Sequence, residues 1–351
     1  MKMILLSLVS ALIYITAHAQ LIIHDEATIA TGNQPQVSAD PNGTIRIVFG
    51  QADKIFCATS VDNGTSFSSP VMVAEVPSMH LGMSRGPQLA SSMHYSVITA
   101  IDKSGDIHWF RLDHASGKWQ RMGMLNDLKA SSPEGLMGLT ADKNDHFYAV
   151  WLDIRTGKHN QVYFDDIKGN AEHWSKNRLI YQSPDEHVCE CCKPNIAVNG
   201  TAVAVMFRNW LKGSRDLYIL KSFNSGVSFS AAEKLGMDTW KLNGCPMDGG
   251  GIGMNHAAAI RTTWQRKGVV YYCEPGMPEV NIGGGRNSAL AVDGDRLVIT
   301  FQTGDTIKLV TMPDKKTSIV GKGSFLRSVN LSNNKIFCVW ERDNKIECKQ
   351  M

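Results

Sequence analysis

Apolar and polar positions along this chain fall into short runs. Some alternate with a period of two and others are continuously apolar over five to eight residues, and clusters of Gly, Pro, Asn and Asp separate them. That pattern predicts β-strands joined by tight turns. No stretch after residue 19 keeps a 3.6-residue apolar period over twelve positions, so α/β folds are disfavoured. The strand pattern also repeats. A first strand of small residues opens near Pro35, Pro87, Gly135, Pro194, Gly250, Asn287 and Leu326. A strongly apolar second strand follows each, at 44–50, 95–101, 146–153, 202–209, 257–266, 296–302 and 335–341, and third strands such as 54–60, 107–113 and 217–222 come next. The starts lie roughly 40–60 residues apart, the size of one four-stranded propeller blade. The count predicts an all-β fold, a β-propeller of seven four-stranded blades, with six as the runner-up. The seventh unit has only three strands, and 21–29 is the segment expected to supply its fourth and close the ring.

Residues 1–19 read as a signal peptide: Lys2, an apolar run over 3–16, and Ala17-His18-Ala19 before Gln20. The run falls short of the ~20 residues that span a bilayer. The expectation is a single propeller domain over 20–351, exported to the periplasm or secreted, monomeric, with no membrane span after cleavage. Thirty-six basic and 33 acidic residues give a net charge of +3 without a basic cluster, which excludes a nucleic-acid footprint. Export makes disulfides permissible among the eight cysteines.

Two segments fit the pattern S-x-[DN]-x-G-x-[ST]-F. One is Ser60, Asp62, Gly64 and Phe67; the other is Ser222, Asn224, Gly226 and Phe229. Residues 113–119 and 166–174 read as decayed copies. Together these resemble the Asp-box (BNR) repeats of the sialidase-like β-propeller superfamily. The segments 189–194, 208–209, 215–216 and 245–250 further resemble a cysteine-rich exported subgroup of it. In an Asp box the Ser and Asp side chains tie the turn backbone, Gly takes positive φ, and the aromatic fills the gap between blades. The boxes are structural and say little about chemistry.

The resemblance implies an exo-α-sialidase type of site: three arginines gripping a carboxylate, a Tyr nucleophile paired with Glu, and an Asp acid/base. The match is partial. Arg85-Gly86-Pro87 keeps R-x-P, but after the first Asp box, and Asn33-Gln34-Pro35 stands where the first arginine is expected. No triad or nucleophile is assignable from spacing. Candidate ligand-binding residues at the loop face where the first strands begin are Arg85, Glu134, Arg208, Asp248 and Arg286. Mixed charge there suits a glycan or small acidic ligand, bound or hydrolysed. A protein-interaction scaffold is a further alternative.

Cys189, Cys191, Cys192 and Cys245 precede the first strands of units four and five, so their sulfurs are expected to converge. Export favours two disulfides stapling these loops. The alternative is a thiolate metal site for Cu or Zn, with His187 and Met247 as neighbours. Histidines beside methionines at 79–83 and 93–94 extend that alternative. Cys338 and Cys348 flank a hairpin turn and are expected to bridge, whereas Cys57 and Cys273 are expected to remain buried thiols.

Overall fold

The computed structural model describes residues 20–23, 25–157, 159–331 and 333–351. The expected leader at 1–19 lies outside the described residues. Among the described residues there is no helix, and seven four-stranded antiparallel sheets follow one another around a ring. Their innermost strands are Asn33–Ala39, Gln88–Ser91, Met137–Ala141, Asn195–Asn199, Gly251–Met254, Arg286–Asp293 and Ser324–Asn330. The seven-bladed expectation therefore holds, and the six-bladed alternative does not.

Most second strands are largely apolar because a blade is covered on both faces. Ala202–Arg208 of blade four is buried at every position. Successive side chains of a strand point to opposite faces. Val203, Val205 and Phe207 therefore meet Tyr148, Val150 and Phe164 of blade three, while Ala204 and Met206 meet Trp264 of blade five.

Blade seven is built from both ends of the chain. Ser324–Asn330, Ile336–Arg342 and Lys345–Gln350 are joined at the outer edge by Ala27–Thr31. The closing strand thus begins later than the expected 21–29. Gln20–Ile22 instead pairs with Ser66–Ser68 of blade one.

The two segments matching the Asp-box pattern form the same turn. Ser60 Oγ accepts the Gly64 N–H at 2.9 Å, and the Asp62 carboxylate accepts the Ser66 N–H at 2.9 Å. In the second turn Ser222 Oγ accepts the Gly226 N–H at 2.9 Å and Asn224 Oδ1 accepts the Ser228 N–H at 3.0 Å. Phe67 packs on Phe337 of blade seven, and Phe229 on Phe164 of blade three, each with ring centres 5.1 Å apart. Of the degenerate copies, the first turns at Gly117 between adjacent strands, and the second places Trp174 against Trp109.

The expected Cys338–Cys348 bridge does not form. Asp343 and Asn344 both take positive φ and make a two-residue turn that pairs Arg342 with Lys345. That register sets Cys338 opposite Lys349 and Cys348 opposite Val339. The two cysteines are one position out of step and point to opposite faces. Cys338 packs toward blade six and Cys348 toward blade one, both as buried thiols, as are Cys57 and Cys273.

Candidate functional site

The innermost strands run parallel to the ring axis, so their starts gather at one end of the channel and their finishes at the other. The finishing end opens into a cavity of about 810 Å³ lined by turns of blades one, two, three, six and seven, among them Asp40, Ser91, Asp142, Asp293 and Asn330. The starting end, where the sequence places the candidate residues, is nearly closed. A void of about 10 Å³ remains there among Ser84, Lys193, Asp248, Asn287, Ser288 and Arg327.

Residues just before or early in the innermost strands make that closure. Arg85 reaches blade three, where its Nε donates to the Glu134 carbonyl at 2.5 Å and its Nη2 lies 3.4 Å from Oε2. Burial raises the Glu134 carboxyl above the ordinary range; Arg85 opposes this and Glu190 adds to it. Lys193, just before the innermost strand of blade four, is buried and donates to Gln88 Oε1 of blade two at 2.5 Å. Desolvation, with Arg327 beside it, holds its amine well below the usual lysine range. Arg327 of blade seven is pulled down to about 10 by burial, against the favourable field of Asp248. Asp248 accepts the N–H groups of Gly250 at 3.0 Å and Asn287 at 2.8 Å, yet burial still raises it. Ser288 Oγ is buried there without a hydrogen-bond partner. Glycine is required at 249, because a Cβ would stand 2.1 Å from the Lys193 carbonyl and separate blades four and five.

Arg286 is exposed at the start of blade six. Arg208 is buried, and its donors go to the carbonyls of Asp248, Arg215 and Gln265 at 2.7–3.2 Å, so it braces loops and offers nothing to a ligand. Neither Lys193 nor Arg327 is in the candidate set read from the sequence. A signal was present for the first: Lys193-Pro194 opens unit four as Arg85-Gly86-Pro87 opens unit two.

Tyr163, Tyr271 and Tyr272 all lie on third strands. Tyr163 packs under Arg155 and against Trp151. Tyr271 lies under Arg266. Tyr272 donates to Glu274 at 2.8 Å, but on a third strand away from the channel, and burial and that bond push its hydroxyl up.

The cysteine loops converge as expected, though with one disulfide and not two. Cys191 is bonded to Cys245, with Cα atoms 6.1 Å apart. Cys189 and Cys192 remain thiols with sulfurs 3.5 Å apart. Arg215 Nη1 donates to Cys189 Sγ at 3.0 Å. The hydrogen bond from Cys192, with Arg208 and Arg215 close by, draws the Cys189 thiol down to about 6. Burial pushes Cys192 well up. Met247 packs against the three cysteines of the loop. His187 instead stacks between Trp210 and His159. The other histidines named beside methionines serve local contacts: His80 bonds the Pro133 carbonyl, and His94 bonds Asp145.

Solved structures with this architecture are numerous. The chain is similar to an ulvan lyase of polysaccharide lyase family PL25 bound to -[GlcA(1-4)Rha3S]-. That match has a TM-score of 0.56 at 11% identity, over 94% of this chain and 95% of that one. It is also similar to the lectin SapL1 in complex with alpha methyl fucoside (TM-score 0.54, 12% identity, 84% and 97% covered). Virginiamycin B lyase from Staphylococcus aureus, with quinupristin, matches at a TM-score of 0.54 and 13% identity over 95% and 98%. These likenesses establish the propeller fold. No protein-family model matches the sequence, and no curated protein matches it significantly.

Proposed function

We propose that the protein binds an acidic saccharide, of the sialic-acid or uronate kind, with its carboxylate resting on the side chains that close the end of the channel where the innermost strands begin. One observation carries this reading. Arg85 is matched by Glu134 and Arg327 by the field of Asp248, whereas Lys193 is buried with an amide oxygen, Gln88 Oε1, as its partner and no carboxylate in an ion pair with it. Such a buried charge costs several kcal/mol unless a partner of opposite sign arrives. A carboxylate restores the balance, and a planar guanidinium suits it bidentately. The similar ulvan lyase was solved with a GlcA-containing saccharide. That likeness is of fold; the charge arrangement belongs to this chain.

Titration calorimetry with N-acetylneuraminic acid and a glucuronate oligosaccharide, beside a neutral saccharide of similar size, tests it. The acidic ligands should bind and the neutral one should not. Arg85→Gln and Arg286→Gln should each weaken binding about tenfold, in line with loss of a charged hydrogen bond. Affinity should fall as pH rises, because Lys193 must be protonated in the complex and its amine is depressed without a ligand. Equal handling of acidic and neutral saccharides would overturn the reading.

A further inference from the structure

The three sulfurs of the loop Cys189-Glu190-Cys191-Cys192 form a triangle with edges of 3.5, 3.7 and 4.0 Å. Thiolates bound to one ion at about 2.3 Å stand about 3.8 Å apart in tetrahedral and about 4.0 Å apart in trigonal geometry. Among the described residues this is the cluster of three ligating side chains that a metal ion could share, and all three are cysteines. Cys245 is bonded to one of them and Met247 packs on the group, so every soft donor within reach is sulfur. Arg215 contacts Cys189 and Arg208 lies beneath, two guanidinium groups that offset the negative charge of clustered thiolates. An all-sulfur donor set with a thioether at its side selects Cu(I) over harder ions.

We infer that this loop is a Cu(I) site gated by the Cys191–Cys245 disulfide. With the bond intact, two thiols remain, and at 3.5 Å they stand too close for the linear pair that two-coordinate Cu(I) takes. A dithiol reductant opens the site. It passes two electrons and two protons to the Cys191–Cys245 bond and leaves as its own disulfide, and two further thiols join the cluster. Cu(I) then binds the sulfurs as thiolates, each ligating thiol releasing its proton to solvent. Cys245 lies exposed on its loop, so the gate sits where a reductant can reach it. The inference rests on the sulfur geometry and is independent of saccharide binding.

The test uses the full chain, with Cu(I) supplied anaerobically in competition with bathocuproine disulfonate. The oxidised protein should show six titratable thiols after denaturation and bind Cu(I) at least a hundredfold more weakly than the reduced form. Dithiothreitol treatment followed by desalting should give one Cu(I) per chain. Cys245→Ser should bind one Cu(I) with no reductant, because the change is made at the exposed position 245 and frees the buried Cys191 without disturbing the core. Cys189→Ser and Cys192→Ser should each lose at least a hundredfold. Failure of both the reduced protein and the folded Cys245→Ser variant to take up Cu(I) overturns the inference. So does undiminished uptake in Cys189→Ser. Preferential uptake of Zn(II) by the reduced chain overturns the choice of metal, and loss of uptake in Cys57→Ala or Cys273→Ala places the metal elsewhere.

Discussion

Arg208 and Arg327 bring the same side chain to the same end of the channel and do opposite things there. Every direction of the Arg208 fork ends on a carbonyl, and its charge is spent on holding loops. Arg327 donates to its own strand at Leu326 and otherwise feels the charge of Asp248 beside a void of about 10 Å³. Spacing in the sequence could not separate the two, because what distinguishes them is which carbonyls surround each. Glu279 shows the cost of such a charge when it is fully matched. Burial alone would raise its carboxyl. The Met237 N–H at 2.6 Å and Arg266 at 2.6 Å outweigh burial and bring it to about 2. A folded-state value below the unfolded one of about 4.3 means that the stabilisation is present above that pH. It is lost as pH falls through about 2. Glu279→Gln should therefore cost about 1–3 kcal/mol in urea unfolding at pH 7. The gap to the unaltered protein should close as the same measurement is repeated from pH 4.5 toward pH 2; a constant gap would contradict the assignment.

Between residue and ring stand the turns that seat one blade on the next. Gly226 takes φ +81°, and a Cβ there would meet the Phe164 ring at 2.5 Å, so the turn of blade four rests directly on an aromatic of blade three. Gly226→Ala strains the backbone and opens this interface at once, and should lower stability by about 1–3 kcal/mol by chemical denaturation. An unchanged midpoint would mean that the turn bears no share of blade packing. Elements of this kind were legible in the sequence, because the Ser, Asp or Asn, Gly and Phe positions carry their own mechanism. Most second strands were legible for another reason: covered on both faces, they carry few polar positions. The outermost strands were not. Glu233–Lys234 is two residues long, and Ala27–Thr31 is largely half-buried with no apolar run to announce it, so its position was misjudged by several residues. The missed cysteine pairing has a similar origin. Moving a turn by a single residue between Asp343 and Asn344 decides which of two faces a side chain occupies.

At the scale of the molecule, the ring is a closed circuit of sheets whose seam lies inside blade seven. Thr28 hydrogen-bonds to Glu347 across it, and Arg342 pairs with Glu26 and Glu347. Deleting residues up to Thr31 removes that seam and exposes the edge of Lys345–Gln350, an unpaired strand that invites association. The truncated chain should unfold at a lower temperature and aggregate at concentrations the full chain tolerates, by calorimetry and light scattering. Adding a peptide of residues 25–33 should recover part of the loss through strand addition; a truncated chain with unaltered unfolding would show that the other blades hold the ring unaided. The seam also imposes an order in time. Ala27–Thr31 leaves the ribosome hundreds of residues before its partner Lys345–Gln350, and waits for it with its backbone unsatisfied. Six blades can be complete while the circle is still open. A chain cut anywhere in that interval cannot seal itself, so closure of the circle depends on a single hydrogen-bonded joint between its two ends.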